Sequence, residues 1–189
     1  MSTEILPLRD SWLAMEAIVG IDQSARRIGL SNVRPEELLD IIAFVDERRV
    51  EAAKEDNSLS SSPPIPPPRY PDVLQTFADP LYPSKDLQGI SEEYGIHFVS
   101  YSTLGTQHEG QNIHGLNNPV LDDPRIRRLA KKYRRSVAEV VLSWAIQRNM
   151  SVIPRSTRKE HIKQLSNLFS NATFVTESDL QLIDGLELN

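Results

Sequence analysis

The sequence contains no cysteine and no long hydrophobic run, and each absence removes a class of protein. Without cysteine the chain cannot form disulfides, thiolate metal sites or a cysteine nucleophile. No apolar stretch approaches the roughly 18 residues of a membrane span. Glu4, Arg9 and Asp10 interrupt the region where a signal peptide would need an apolar core. The sequence therefore predicts a soluble, cytoplasmic protein that has no membrane partner.

An excess of basic residues is also lacking. The chain has 21 lysines and arginines against 26 aspartates and glutamates, which gives a net charge of −5. This balance argues against a dedicated nucleic-acid-binding protein. The basic run from Arg125 to Arg135 is typical of the solvated face of an amphipathic helix, with an anionic partner as the alternative. His97, His108 and His114 show no metal-ligand spacing, so no metal site is predicted.

Proline, in contrast, is concentrated in one place. Six of the 13 prolines lie between Pro63 and Pro71, within a proline- and serine-rich segment at residues 55–72. Proline lacks the amide donor and fixes φ, so this segment cannot propagate a helix or an interior strand. We interpret it as an exposed loop with local polyproline II character. Pro63–Pro66 also has the PxxP form, and a ligand for a proline-binding domain is therefore the alternative.

Outside this loop the chain alternates helix and strand. Hydrophobic periodicity and start signals predict helices from Leu8, Pro35, Lys85, Pro124, Ser136 and Thr157, and after Thr176. Ser136 with Glu139 forms one predicted capping box, and Thr157 with Glu160 a second. Strands are predicted at Arg27–Ser31, Val73–Ala78, Ile96–Tyr101 and Val152–Arg155. They are too far apart for hairpins, so the sequence predicts an α/β fold with four parallel strands joined by helices.

Polar residues accompany each predicted strand. They are Ser31 and Asn32 after the first strand, Gln75 within the second, Tyr101 and Ser102 at the end of the third, and Arg155 and Ser156 at the end of the fourth. The carboxyl ends of parallel strands meet at one face of the sheet, where α/β proteins bind ligands. Arg155 precedes the predicted capped helix, so a guanidinium, free amides and a helix dipole would converge there on a phosphate.

Each of these sets has a purely structural alternative. Ser31 and Asn32 are also typical of turns and helix caps. Tyr101 could be a core aromatic whose hydroxyl finds a backbone partner. Arg155 could be a solvated or ion-paired surface cation. The occurrence of all the sets in consecutive βα units favours a ligand site.

The ordered motifs carry a specific resemblance. They are Gly29-Leu-Ser-Asn32, Gln75, Tyr101-Ser-Thr-Leu-Gly105, Ser143-Trp144 and Val152-Ile-Pro-Arg-Ser156. In this order they resemble the C-terminal half of an aldo-keto reductase. The similarity begins at the helix with Ser11-Trp-Leu-Ala-Met-Glu16 and covers nearly the whole chain outside the proline-rich loop, so residues 1–189 are predicted to be a partial domain of that family. The resemblance implies a partial (β/α)8 TIM barrel of about four βα units, strands five to eight. It also implies an NADP-dependent oxidoreductase domain.

The resemblance further implies which residues hold NADP(H). On the nicotinamide side, Ser31, Asn32 and Gln75 match the positions that hydrogen-bond the carboxamide. Tyr101 matches the aromatic residue that stacks on the nicotinamide ring.

On the phosphate side, Ser102 and Leu104 match the loop that lies along the pyrophosphate. Arg155 and Ser156 match the basic and hydroxyl pair that holds the adenosine 2′-phosphate. This pair is why the sequence favours NADP over NAD.

Four positions depart from the family pattern. His161 stands where the family often has an arginine, which makes that contact weaker or dependent on pH. Gln164 and Leu165 stand where a Glu-Asn pair usually contacts adenine, and Leu165 cannot hydrogen-bond it. Thr103 replaces a common proline. We therefore expect binding of NADP(H) to be weakened or lost.

The family's catalytic residues come from the other half of the barrel. A tyrosine acts there as general acid with a lysine, an aspartate and a histidine, and none of the five tyrosines here sits in a matching context. General acid catalysis supplies a factor of roughly 10²–10⁴ in rate. We therefore expect no catalytic residue in this chain, no appreciable carbonyl reductase activity from it alone, and a truncated product or fragment of an enzyme for small carbonyl compounds.

Half of a barrel would leave an open sheet. The predicted edges at Arg27–Ser31 and Val152–Arg155 would expose unpaired amides, which favours self-association. A non-enzymatic binding or regulatory module, contacting another protein through the barrel surface or the proline-rich loop, is the alternative function.

Overall fold

The computed structural model describes residues 7–55, 66–108 and 115–187. Along the chain it forms α1 Leu8–Gly20, β1 Gly29–Ser31, α2 Pro35–Glu55, β2 Val73–Phe77, α3 Lys85–Glu93, β3 His97–Tyr101, a 3-10 helix Thr106–His108, α4 Pro124–Tyr133, α5 Val137–Gln147, β4 Ser151–Val152, α6 Lys159–Phe169 and α7 Glu177–Asp184. The strands form one sheet in the order β1-β2-β3-β4, and β3 pairs with β4 in parallel. The predicted α/β fold with a four-stranded parallel sheet is therefore confirmed.

The outer strands are shorter than predicted. β1 begins at Gly29 rather than Arg27, and β4 ends at Val152 rather than Arg155. Before β1, the amide of Ile28 donates to the Asp72 side chain at 3.0 Å, so a carboxylate takes the place of a ladder partner. After β4, Pro154 has no amide to donate to a neighbouring strand.

The second predicted capping box, Thr157 with Glu160, is wrong. α6 begins at Lys159 with Arg158 at its N-cap, and no side chain caps it. Ser156 intervenes, because its Oγ accepts a hydrogen bond from the Arg158 amide at 3.1 Å. The first predicted box is confirmed: Ser136 Oγ accepts from the Glu139 amide at 3.2 Å, and Glu139 accepts from the Ser136 amide at 2.8 Å.

Two predictions fall partly or wholly outside the described residues. Residues 56–65, which include Pro63, Pro64 and most of the PxxP sequence, are not described, and neither is His114. Among the described helices, none combines the length and apolar character needed to cross a membrane.

The chain divides into two compact units. The first is Met1–Leu74 with Asp86–His97, and the second is Gln75–Lys85 with Phe98–Asn189. The core of the first unit contains Trp12 from α1, Ile28, and Ile41 and Val45 from α2. Burial of these side chains is the main force that holds the two helices together.

A buried carboxylate fixes the chain that leads into β2. Glu16 is 1% exposed, and its Oε1 accepts from the Arg69 amide at 2.8 Å. Its Oε2 pairs with Arg48, which also donates to the Pro66 carbonyl at 2.8 Å. The Trp12 indole donates to the Arg69 carbonyl at 3.2 Å. The described end of the proline-rich segment is thus held by α1 and α2.

In the second unit, α5 forms the centre of the core. Its fully buried residues include Val140, Val141, Leu142, Trp144 and Ala145. The helix packs against α4, α6 and β4. Because the capping box at Ser136 fixes where α5 begins, it also fixes which of its side chains face β4 and the loop beyond it.

Candidate functional site

The loop after β3 is held in a tight turn. Ser102 has φ 53° and Gly105 φ 79°, and the Gly105 amide donates to the Ser102 carbonyl at 2.9 Å. A Cβ on Gly105 would lie 2.7 Å from Asn118 Oδ1, so only glycine fits there. The side-chain amide of Asn118 donates through Nδ2 to the Leu104 carbonyl at 2.9 Å. The conformation of residues 102–105 is therefore fixed by a hydrogen bond within the turn and by the contact with Asn118.

Thr103 stabilises the same turn through a buried hydrogen bond. Its side chain is buried, and its Oγ1 lies 2.6 Å from Ser100 Oγ. Ser100 in turn donates to the Ala78 carbonyl at 2.6 Å. The hydroxyl of Thr103 therefore joins a hydrogen-bonded chain that a proline at this position could not make.

Four of the predicted residues line one cavity. Tyr101, Ser102, Leu104 and Arg155 surround a space of about 490 Å³, together with residues that include Ile153. The register explains the arrangement, because Ser100 in β3 lies opposite Val152 in β4. The two strands therefore end side by side, and the chain beyond each reaches the same cavity.

A second, smaller cavity is lined by the residues predicted to contact the 2′-phosphate and the adenine. Arg155, Ser156, His161 and Gln164 line a space of about 130 Å³, together with residues that include Leu104. Arg155 and Leu104 line both cavities. The two spaces are therefore adjacent, and Arg155 belongs to the wall of both.

The segment that follows β4 carries several cations. Arg155, Arg158, Lys159 and Lys163 follow β4, and no carboxylate of the described residues forms an ion pair with any of them. Arg155 is exposed. Positive charge without an internal partner can bind an external anion without first breaking an ion pair.

Glu139 is the acidic residue of the second cavity. Burial opposes its ionisation, but hydrogen bonds from the Ser136 amide and hydroxyl and from Arg135 outweigh it and hold the pKa of Glu139 below its ordinary value. Arg135 pairs with this carboxylate at 3.0 Å. The carboxylate of Glu139 is thus already paired with Arg135.

The predicted carboxamide-binding residues are divided between the two units. Ser31 and Asn32 are exposed at the end of β1 in the first unit, and Asn32 has φ 55°. Gln75 is half-buried in β2 and is not among the described residues that line either cavity. Their assignment to the nicotinamide stays a prediction.

The sequence reasoning missed a buried acid–imidazole pair. His108 Nε2 lies 2.7 Å from Asp79 Oδ2, and the two side chains are 3% and 0% exposed. Asp79 Oδ1 also accepts from the amides of Leu81 at 2.8 Å and Tyr82 at 3.0 Å. Burial raises the pKa of Asp79 although His108 and these amides oppose the rise. The pair ties the loop after β2 to the 3-10 helix beside the large cavity.

Nothing local in the sequence signals this pair, because its members are 29 residues apart in two different loops. Within the described ranges, no group of three or more His, Asp or Glu side chains is arranged to hold a metal ion.

Comparison with known proteins adds an independent finding. The model of the Aldo/keto reductase family matches residues 24–187. The chain is 28% identical to Aldo-keto reductase family 1 member A1 from Xenopus tropicalis, over 98% of this chain and 49% of the relative. It is 30% identical to NAD(P)H-dependent D-xylose reductase xyl1 from Hypocrea jecorina, over 96% of this chain and 49% of the relative. The chain spans about half the length of the curated relatives it matches.

Proposed function

Because the chain belongs to the aldo/keto reductase family, we propose that its second unit binds the phosphate-bearing part of NADP(H) and serves the reduction of a small carbonyl compound. The observation that carries this proposal is the pair of adjacent cavities that share Arg155. Relatives that are named NAD(P)H-dependent reductases support a nicotinamide cofactor.

The residues of the two cavities fit such a cofactor. Tyr101 is a half-buried aromatic side chain in the larger space, where it can provide a stacking surface for the nicotinamide ring. Ser102 and Leu104 line the same cavity as Tyr101 and Arg155. Arg155 and Ser156 offer a guanidinium and a hydroxyl to the 2′-phosphate, which is the combination that phosphate recognition requires.

In this proposal each residue binds or orients a part of the cofactor. When bound, the reduced nicotinamide supplies the hydride. Within the second unit, Gln75 hydrogen-bonds its carboxamide and Tyr101 fixes the plane of its ring. The assignment of Ser31 and Asn32, in the first unit, to the same carboxamide rests on the family resemblance alone. Gln164 replaces a charged adenine contact, and Leu165 offers only apolar contact, so we propose that adenine is held less tightly here than in the family pattern.

A proton donor for the carbonyl oxygen is not assigned in this chain. The hydroxyls of Tyr70 and Tyr133 donate to Asp46 and Asp179, and Tyr101 is assigned to the cofactor. We propose that the described chain on its own does not reduce carbonyl compounds at an appreciable rate, since general acid catalysis supplies a factor of roughly 10²–10⁴.

Titration of the purified chain with NADPH, followed by nicotinamide fluorescence, tests the cofactor assignment. We expect saturable binding. Arg155→Ala should weaken NADPH binding by about tenfold, because a charge-assisted contact to the phosphate is lost, and should change NADH binding little. Arg158→Ala is the matched control, since Arg158 is an exposed cation of the same segment that does not line the described cavities.

Two results would contradict the proposal. One is the absence of any saturable change with NADPH up to millimolar concentrations. The other is an equal loss of NADPH and NADH binding in Arg155→Ala, because this would show that the guanidinium does not meet the group that distinguishes the two cofactors.

A further inference from the structure

The basic run from Arg125 to Arg135 contains seven cations and no acidic residue. Four of these cations form ion pairs with carboxylates outside the run, and the pairs are Arg125 with Asp123, Arg127 with Asp122, Lys132 with Asp179 and Arg135 with Glu139. None of the ion pairs among the described residues includes the other three cations, Arg128, Lys131 and Arg134. All three are exposed. The structure thus separates cations that stabilise the fold from cations that remain available.

Two of the available cations lie in a depression between α4 and α5. Lys131 and Arg134 line this space of about 540 Å³, together with residues that include the half-buried, apolar Leu121 and Val137. Among the described residues, Ser136 alone lines both this depression and the smaller cavity that contains Arg155. The depression is therefore a separate surface, and it offers positive charge beside apolar side chains.

Arg134 has a backbone conformation that favours glycine. It follows the last residue of α4 with φ 53° and ψ 44°, which is the left-handed conformation in which glycine commonly ends a helix. Any residue with a Cβ is less stable there than glycine, because the Cβ crowds the following carbonyl oxygen. The fold alone would thus favour glycine over arginine. An outlier of this kind indicates that the side chain serves a purpose other than folding.

We propose that this depression binds an acidic peptide segment of a partner protein. Carboxylates of the peptide pair with Lys131 and Arg134, which have no internal ion pair to break first. An apolar side chain between the carboxylates contacts Leu121 and Val137. The exposure of both cations suits such a segment, since a small-molecule site encloses most of its ligand.

Nucleic acid fits this surface less well. The whole chain has a net charge of −5 and the basic run contributes +7, so the rest of the chain carries −12. A long polyanion would extend past the depression and meet this negative charge. A short acidic segment can remain within the depression.

Fluorescence anisotropy of the full chain tests the proposal with a fluorescein-labelled peptide that has two glutamates on each side of a leucine. We expect saturable binding that weakens as the salt concentration rises from about 50 to 300 mM, because exposed charge pairs are screened. The same peptide with glutamine in place of glutamate should not bind. Serine in place of leucine should weaken binding, since it removes the apolar contact.

Arg134→Gly separates binding from folding, because it removes the guanidinium and supplies the residue that the backbone favours. It should weaken peptide binding about two- to fivefold, the range for one exposed charge contact, whereas the midpoint of urea denaturation should stay the same or rise. Lys131→Gln should weaken binding by a similar factor. Arg128→Gln is the matched control, since it removes one charge from α4 outside the described lining of the depression, and it should bind like the wild type.

Three results would overturn the proposal. The first is no saturable binding of the acidic peptide up to millimolar concentrations. The second is an equal loss of binding in Arg128→Gln and Arg134→Gly, because binding would then follow net charge alone. The third is displacement of the peptide by an equal concentration of a single-stranded oligonucleotide with the same number of charges, which would make nucleic acid the preferred partner.

Discussion

Among single residues, the buried Asp79 is held by several hydrogen bonds. Its two carboxylate oxygens serve His108 and the amides of Leu81 and Tyr82, all within 3.0 Å. A buried polar group that loses its partner costs the free energy of desolvation without compensation. The pair is therefore a positioning contact for the 3-10 helix next to the large cavity.

Asp79→Ala should lower the free energy of unfolding by about 2–4 kcal/mol, because it leaves His108 and the buried Leu81 amide without their partner. Asp79→Asn is the matched variant, since its amide oxygen can still accept from the backbone and its NH₂ can donate to the imidazole. We expect Asp79→Asn to lower the free energy of unfolding by clearly less than Asp79→Ala does. Urea denaturation of both variants measures the difference, and equal losses would contradict a hydrogen-bonding role for the side chain.

The pH dependence of stability gives a second readout of Asp79. Burial raises its pKa, so the folded chain holds this proton more tightly than the unfolded chain. The corresponding stabilisation is fully present below the unfolded-state value of about 3.9 and is lost as the pH rises through the higher folded-state pKa. Asp79→Asn cannot titrate, so its stability should lack this decline.

The sequence predicts which residues lie together only where strand order alone decides their position. Tyr101 and Arg155 could be placed together from the sequence because the carboxyl ends of neighbouring parallel strands meet, and the large cavity unites them. The pair of Asp79 and His108 could not, because loop conformation rather than strand order brings those side chains together. Glu139 was predicted as a cap and was not recognised as part of a cavity wall.

At the scale of elements, two segments with the same spacing behave differently. Ser136 and Glu139 cap α5 reciprocally, whereas Thr157 and Glu160 do not cap α6. The pattern alone could not separate them. Ser156 decides the outcome, because its hydroxyl binds the Arg158 amide and the helix then starts at Lys159.

This difference predicts contrasting effects of two similar substitutions. Ser136→Ala should lower the free energy of unfolding by about 1 kcal/mol through loss of the cap. Thr157→Ala should change it by less than about 0.5 kcal/mol, as expected for an exposed residue without a capping role. Chemical denaturation of both variants measures the difference. An equal decrease in the free energy of unfolding for Ser136→Ala and Thr157→Ala would contradict the assignment of a capping box to α5 alone.

At the scale of the whole molecule, the sheet has two ends. β1 and β4 are the terminal strands in the order β1-β2-β3-β4, so each has one neighbouring strand among the described residues. Ile153, which directly follows β4, is 50% exposed. An exposed edge with an apolar side chain is a site where strands of other copies can pair. The expectation of self-association therefore stays a prediction with a defined location.

We expect light scattering to show a mass that rises with protein concentration. Ile153→Lys should reduce this association, because a charge at a strand edge opposes pairing with another strand. Ile162→Lys is the control, since Ile162 is 53% exposed on α6. A single monomeric mass for the wild type at all concentrations would count against the edge as an association site.

Glu16, Arg48 and Trp12 anchor Pro66 and Arg69. We therefore expect the fold of the first unit to tolerate a change in the number of residues before Pro66. Those contacts fix the position of the chain at Pro66 and Arg69, whatever number of residues precedes them. The entropy cost of closing a loop rises slowly with its length, by only about 0.6 kcal/mol for each doubling. Residues 56–65 are therefore a suitable place to insert an affinity tag or a fluorescent reporter while the fold on either side is retained.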